Sequence, residues 1–127
     1  MDELEIANLL TRYAYAVDSP DWDLYRNVFT EDAHLDYSAA GMVTGTVDAA
    51  VGSLRPKQAA LSMSMHYVTN VDSRITSDNA DVTAMWFSAI QLSGDPQTRF
   101  FGGRWRHDLV RTADGWRSRK LVLEVVW

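Results

Sequence analysis

The second half of the chain leaves few folds open. After His66 it is built from four segments rich in β-branched and aromatic residues: Tyr67 to Ile75, Val82 to Leu92, Thr98 to Arg111 and Trp116 to Val126. Between them stand Ser77-Asp78-Asn79, Ser93-Gly94-Asp95-Pro96 and Ala113-Asp114-Gly115, residues that supply the backbone angles and local hydrogen bonds of tight turns. Strands joined by connections this short run antiparallel, because a parallel crossover needs a dozen or more residues. The pattern predicts a four-stranded meander. The chain contains no cysteine to staple a small fold, so the sheet must gain its stability by burying one face against something apolar.

The first half supplies that cover. Apolar residues at 6, 9, 10, 13, 14 and 17 follow the three-four spacing of one helical stripe and predict a helix from about Asp2 to Val17. Ser19-Pro20-Asp21 has the chemistry of a second helix start: a capping hydroxyl, a proline where no amide is needed and an acid at the positive end. That short helix carries Trp22, Leu24, Tyr25, Val28 and Phe29, with Asp21 and Asp23 as first-turn acids. A turn at Thr30-Glu31-Asp32 leads to a strand from Ala33 to Tyr37, and Gly41 and Gly45 bracket a connection. Val47 to Met65, rich in Ala, Leu and Met, reads as a helix broken or restarted at Arg55-Pro56. Helices first and an antiparallel sheet afterwards describe an α+β fold, and 127 residues suit one domain spanning 1–127.

Composition narrows the partners. A formal net charge of -5 argues against nucleic acid, and the basic residues Arg104, Arg106, Arg111, Arg117, Arg119 and Lys120 fall on strand segments, as on a solvated sheet face. The acidic start M-D-E-L-E-I-A-N never reaches a long apolar run, so neither a signal peptide nor a membrane span is expected, and a cytoplasmic protein is. His34, His66 and His107 lie far apart, without the spacing of a metal site. No phosphate-cradling glycine loop, serine nucleophile elbow or dinucleotide fingerprint is present. Any reaction is therefore expected to need neither cofactor nor metal.

Three stretches carry a family resemblance: R-Y-A-Y-A-V-D-S-P-D-W-D-L-Y-R-N-V-F-T-E-D-A-H-L-D-Y from Arg12, His66 at the opening of a strand, and G-G-R-W-R-H-D-L-V-R-T-A-D-G-W-R from Gly102. Together they resemble the SnoaL-like branch of the nuclear transport factor 2-like superfamily over nearly the whole chain. Scytalone dehydratase and the bile-acid 7α-dehydratases are the enzymes they are most similar to. The resemblance implies a cone-shaped fold, with N-terminal helices packed on a curved antiparallel or mixed sheet. It places His66 where a catalytic histidine stands and Asp18 where an aspartate orients it. Tyr13 and Asp18 match a Tyr and Asp of the bile-acid enzymes, and Tyr37 matches a strand tyrosine that holds an oxygen in the scytalone enzyme. A second catalytic tyrosine of that enzyme falls on Val17 and its second histidine near Ile90, so its two-tyrosine water contact has no counterpart here.

Each candidate also has a plain structural reading. Asp18 before Ser-Pro is common turn chemistry, His66 in a largely apolar setting suits a satisfied core histidine, and Tyr13 suits a core phenol. On the third strand Arg104, Arg106 and Asp108 share one side, and Trp105, His107 and Leu109 the other. The resemblance turns the arginine side toward the cavity; the apolar pattern buries the Trp105 side, which a dimer would cover. The resulting expectation is a catalytic set of His66, Asp18 and Tyr13. Tyr37, Val17, Trp22, Trp86, Phe101 and Arg106 are expected to bind substrate. The predicted function is a cofactor-independent lyase or isomerase that acts on a hydrophobic polycyclic or aromatic carbonyl compound, in a homo-oligomer of two or three copies. The alternatives are a non-catalytic small-molecule-binding or dimerisation module, or the small subunit of an oxygenase.

Overall fold

The computed structural model describes all 127 residues. Helix α1 (Asp2–Asp18) buries Ile6, Leu9, Leu10, Tyr13, Ala14, Ala16 and Val17, and its first turn holds Asp2, Glu3 and Glu5 at the positive end of the helix. It runs one residue further than the stripe predicts. Ser19 closes this helix, its amide bonding to the Tyr15 carbonyl at 2.9 Å, rather than starting the next. The cap of α2 (Trp22–Arg26) is Asp21, whose carboxylate accepts from the Leu24 amide at 3.0 Å. A carboxylate serves there as a hydroxyl would and adds a charge that the helix start favours.

Strand β1 (Phe29–Asp36) absorbs the expected turn at Thr30 to Asp32, with an irregular register between Phe29 and His34. A 3-10 turn at Ser38–Ala40 and the short β2 (Thr44–Gly45) lead to α3 (Val47–Ala59), capped by Thr46 and carrying Pro56 inside it without a break. Next, β3 (Leu61–Thr76) begins earlier than predicted. Leu61-Ser-Met-Ser-Met, expected as helix, alternates apolar with polar, and pairing with β4 (Asn79–Leu92) overrides the helix preference of Leu and Met. Strands β5 (Arg99–Thr112) and β6 (Gly115–Val125) complete the meander.

The six strands form one sheet in the order β2-β1-β6-β5-β4-β3, all neighbours antiparallel except β1 and β6, which run parallel. A bulge between Thr69 and Asp72, with Asn70 at a φ of 52°, bends β3, and the helices lie on the concave side. This is the α+β cone expected from the sequence. Trp105, Leu109, Val82, Ala84 and Leu121 on the concave face meet the buried stripe of α1 to form the core. Arg111 ties the start of α1 to the sheet, holding Asp2 at 2.9 Å and Asp78 at 3.1 Å.

The face of β5 is settled by burial. Trp105, His107 and Leu109 point inward, whereas Arg106 points away and donates to Glu124 at 2.6 Å, and Asp108 pairs with Arg119 at 2.9 Å. The expectation that the arginine side lines the cavity is corrected: this arrangement buries the Trp105 indole and leaves the Arg104 and Arg106 guanidiniums in water beside Glu124, whereas the reverse would desolvate two charges and expose the indole. The core of this chain, and no second copy, buries Trp105 and His107. On the convex face Phe87 lies within 6 Å of Tyr67, Phe100 and Trp127. No helix is long and apolar enough to cross a membrane.

Candidate active site

Between α1, α3 and the concave face of the sheet lies a cavity of about 600 Å³, within the range of small-molecule sites. Its enclosed part is walled by Tyr13, Tyr37, Trp86, Ser88 and Trp105, and its exposed rim by Ala39, Lys57, Ala60 and Leu92. His66 lies in its wall, on the inner face of β3.

Asp18 and His66 meet where the last turn of α1 crosses the start of β3. The His66 amide donates to Asp18 Oδ2 at 2.5 Å, and ring Nδ1 bonds to Oδ1 at 2.6 Å. Ser64 Oγ donates to the same Oδ1 at 2.8 Å, and Gln58 Nε2 from α3 reaches Ser64 Oγ at 3.3 Å and the Val17 carbonyl at 3.0 Å. Burial resists ionisation of Asp18. The hydrogen bonds and charge of His66, with the Ser64 hydroxyl, outweigh it and hold the carboxyl below its usual range. An ionised Asp18 accepts only, so Nδ1 carries the hydrogen, and in the neutral ring the lone pair is on Nε2. The ring is held between Trp86 and Trp105, at centroid distances of 6.1 and 6.2 Å. Both partners keep some solvent contact, with side chains 18% and 15% exposed for His66 and Asp18. Asp18 faces a second, smaller depression between α1 and β3, bordered by Thr11, Tyr15 and Ser19, so the pair forms a wall between that depression and the cavity.

Deeper in, three phenols form a chain: Tyr37 Oη lies 2.7 Å from Tyr13 Oη and 2.6 Å from Tyr25 Oη. All three residues are buried, and burial is the main force that raises each phenol above its ordinary pKa. They therefore stay protonated donors. Three hydroxyl hydrogens serve two mutual bonds, so one remains to be donated elsewhere. Tyr13 and Tyr37, but not Tyr25, line the cavity.

The structure thus brings His66, Tyr13, Tyr37, Val17, Trp86 and Phe101 together on the cavity wall, with Asp18 directly behind His66. Two expected residues are elsewhere. Trp22 packs on Tyr25 at 5.6 Å and under Arg55 at 5.9 Å, because the five-residue α2 turns it away, and Arg106 lies on the opposite sheet face. Ser64, Gln58, Ser88 and Tyr25 join the site without having been expected; their signal in the sequence is no more than a position on an inward-facing strand or helix side. No three His, Cys, Asp or Glu side chains cluster as metal ligands would. His107 is buried, contacts Ser118 Oγ through Nδ1 at 2.9 Å, and lies against Tyr13 at 6.3 Å.

Comparison with known proteins agrees with this fold. A SnoaL-like domain model matches residues 1–122. An uncharacterised protein of Mycobacterium tuberculosis is 35% identical over 122 residues, covering 95% of this chain and 83% of its own. A crystal structure of a Kribbella flavida protein superposes with a TM-score of 0.88 at 30% identity, over 99% of this chain and 91% of that one. A Novosphingobium aromaticivorans protein, named as a candidate scytalone dehydratase, superposes with a TM-score of 0.87 at 17% identity, over 96% and 82% of the two chains. At that identity it is a likeness of fold.

Proposed function

The chain belongs to the SnoaL-like domain family, and from that membership we propose that it is a cofactor-independent, dehydratase-like lyase or isomerase for a hydrophobic aromatic or polycyclic carbonyl compound. One observation carries the proposal: the 2.6 Å contact between Asp18 and His66 Nδ1, which leaves Nε2 as a base on the wall of an apolar cavity that also presents phenol donors. Nε2 removes a proton from the carbon next to the carbonyl. The negative charge that develops on the carbonyl oxygen is met by the spare phenol hydrogen of the Tyr13-Tyr37-Tyr25 chain. Asp18 stabilises the imidazolium and fixes its tautomer, as a buried carboxylate does for a histidine base. The proton then returns to carbon in an isomerase or leaves with a departing hydroxyl in a dehydratase. The scytalone dehydratase name borne by a structural neighbour supports the lyase side.

The test is proton exchange. With 4-phenylbutan-2-one in D2O, the protein is expected to speed loss of the α-proton NMR signals. His66→Ala should lower that rate about 10²- to 10⁴-fold, the usual contribution of a general base, and Asp18→Asn should lower it in the same direction. Exchange that is unchanged in His66→Ala removes the acid-base reading. Binding of the ketone without exchange in the unsubstituted protein assigns the cavity to storage or sensing instead.

A further inference from the structure

One buried polar group of the cavity has no part in that proton transfer. Ser88, on the inner face of β4, is 3% exposed and borders the cavity, and its hydroxyl makes no hydrogen bond to another protein group. The hydroxyl opens on the cavity, where water can pair with it, and a substrate that displaces that water must replace the bond. Space does not explain the residue. Where the inner face of β4 needs a small side chain against the core it carries Ala80 and Ala84. Register shows what the hydroxyl serves: Ser88 stands opposite His66 on β3 and opposite Phe101 on β5, so the three make one row across the cavity wall. Side chains opposed on one face lie about 5 Å apart, so a substrate atom reached by the imidazole is also within reach of this hydroxyl. The polar atoms that are buried without a partner, Trp86 Nε1 and His107 Nε2, are fully enclosed and meet no substrate.

We propose that Ser88 holds the leaving hydroxyl of the substrate beside His66, which makes the reaction an elimination of water from a β-hydroxy carbonyl compound rather than the migration of a double bond. This rests on the acid-base reading above. His66 Nε2 takes the α-proton, and the carbon-hydrogen electron pair becomes the new carbon-carbon double bond as the β-carbon-oxygen bond breaks. The imidazolium gives the same proton to the departing oxygen, so a conjugated enone and one water leave and nothing is oxidised or reduced. Ser88 donates a hydrogen bond to that oxygen as charge builds on it. An isomerase, which returns its proton to carbon, has no departing oxygen for a hydroxyl in this row to hold.

Two probes that differ by one hydroxyl separate the steps. 4-Hydroxy-4-phenylbutan-2-one can lose water to give an enone followed by its ultraviolet absorbance. 4-Phenylbutan-2-one cannot, but it still exchanges α-protons with D2O. Ser88→Ala is expected to lower dehydration about tenfold or more, the worth of one hydrogen bond to developing charge, and to leave exchange within about twofold. Ser88→Thr, which keeps the hydroxyl, should retain most of the dehydration. An equal fall in both reactions would mark Ser88 as structural, and no fall in either would mark it as idle. Exchange without dehydration in the unsubstituted protein would overturn the elimination while sparing the base. Absence of exchange that depends on His66 would instead overturn the acid-base reading itself.

Discussion

Replacing Tyr37 by Phe strands two hydroxyls at once, because both Tyr13 and Tyr25 bond to its oxygen. Tyr25→Phe removes only the end of the chain and leaves the Tyr13-Tyr37 bond in place. An unpaired buried hydroxyl costs about 1–3 kcal/mol, whereas a lost neutral hydrogen bond costs about 1 kcal/mol. Urea denaturation should therefore find Tyr37→Phe less stable than Tyr25→Phe by about 1–2 kcal/mol; equal losses would show that the phenols do not act as a chain. The same contrast explains what was legible at this scale. Asp18 and His66 stood out because a carboxylate and an imidazole matched positions in a known family, and Tyr13 because a phenol in the middle of an apolar stripe calls for a partner. Ser64, Gln58 and Ser88 carry no such mark. One hydroxyl among alternating strand residues has no pattern of its own, and only the fold shows that Ser64 meets Asp18 while Ser88 faces His66.

Among the elements, α3 holds the most evident conflict between local preference and fold. Pro56 lies in its last turns, cannot donate to the Gly52 carbonyl and presses its ring toward it, yet the helix continues to Ala59. Leu54 and Gln58 give the reason: they border the cavity from this helix, and Gln58 ties it to α1 through the Val17 carbonyl. Tertiary contact outweighs the proline, which is why the break expected there did not occur. Pro56→Ala restores the missing donor, and the gain is offset in part by a freer unfolded chain. The expected net stabilisation is about 1–2 kcal/mol, read as a higher urea midpoint at unchanged slope. A lower midpoint would mean that the proline ring itself packs productively. The meander was legible because its turns are local chemistry. The start of β3 was not: pairing with β4 decides it, and that partner is remote in sequence. The inward face of β5 followed the apolar pattern of Trp105, His107 and Leu109, which was the better guide than alignment to a distant enzyme.

At the scale of the whole molecule, His107 makes stability depend on pH. It lies among Tyr13, Trp105 and Ser118 in the core, and burial pushes its imidazole down from 6.5 to about 3. The unfolded chain, whose histidine titrates near the ordinary value, binds one more proton than the folded chain between those limits. Protonation therefore favours unfolding: the folded state is most stable above about pH 6.5 and loses about 1.4 kcal/mol per pH unit as the pH falls below it. Asp18 acts lower down. Its carboxyl is held below 3.8, so the stability it adds is complete above that pH and disappears only as the pH falls through its folded value. The two windows barely overlap, and a comparison between pH 7 and pH 5 isolates the histidine. His107→Phe keeps a ring against Tyr13 and leaves no donor stranded, since Ser118 Oγ still reaches the Lys120 carbonyl at 3.0 Å. Urea midpoints of the unsubstituted protein should fall from pH 7 to pH 5, whereas those of His107→Phe should stay nearly level. Parallel curves would show that another group carries the loss. Because the folded chain keeps His107 neutral down to about pH 3, the loss between pH 7 and pH 5 comes from protonation of the unfolded chain and leaves the phenol chain beside the ring unchanged in the folded molecules. His107 thus sets how much of the chain stays folded and not the geometry of the site, so α-proton exchange at pH 5 without urea should be equal in His107→Phe and the unsubstituted protein, and a difference would show that the folded ring takes up a proton well above pH 3.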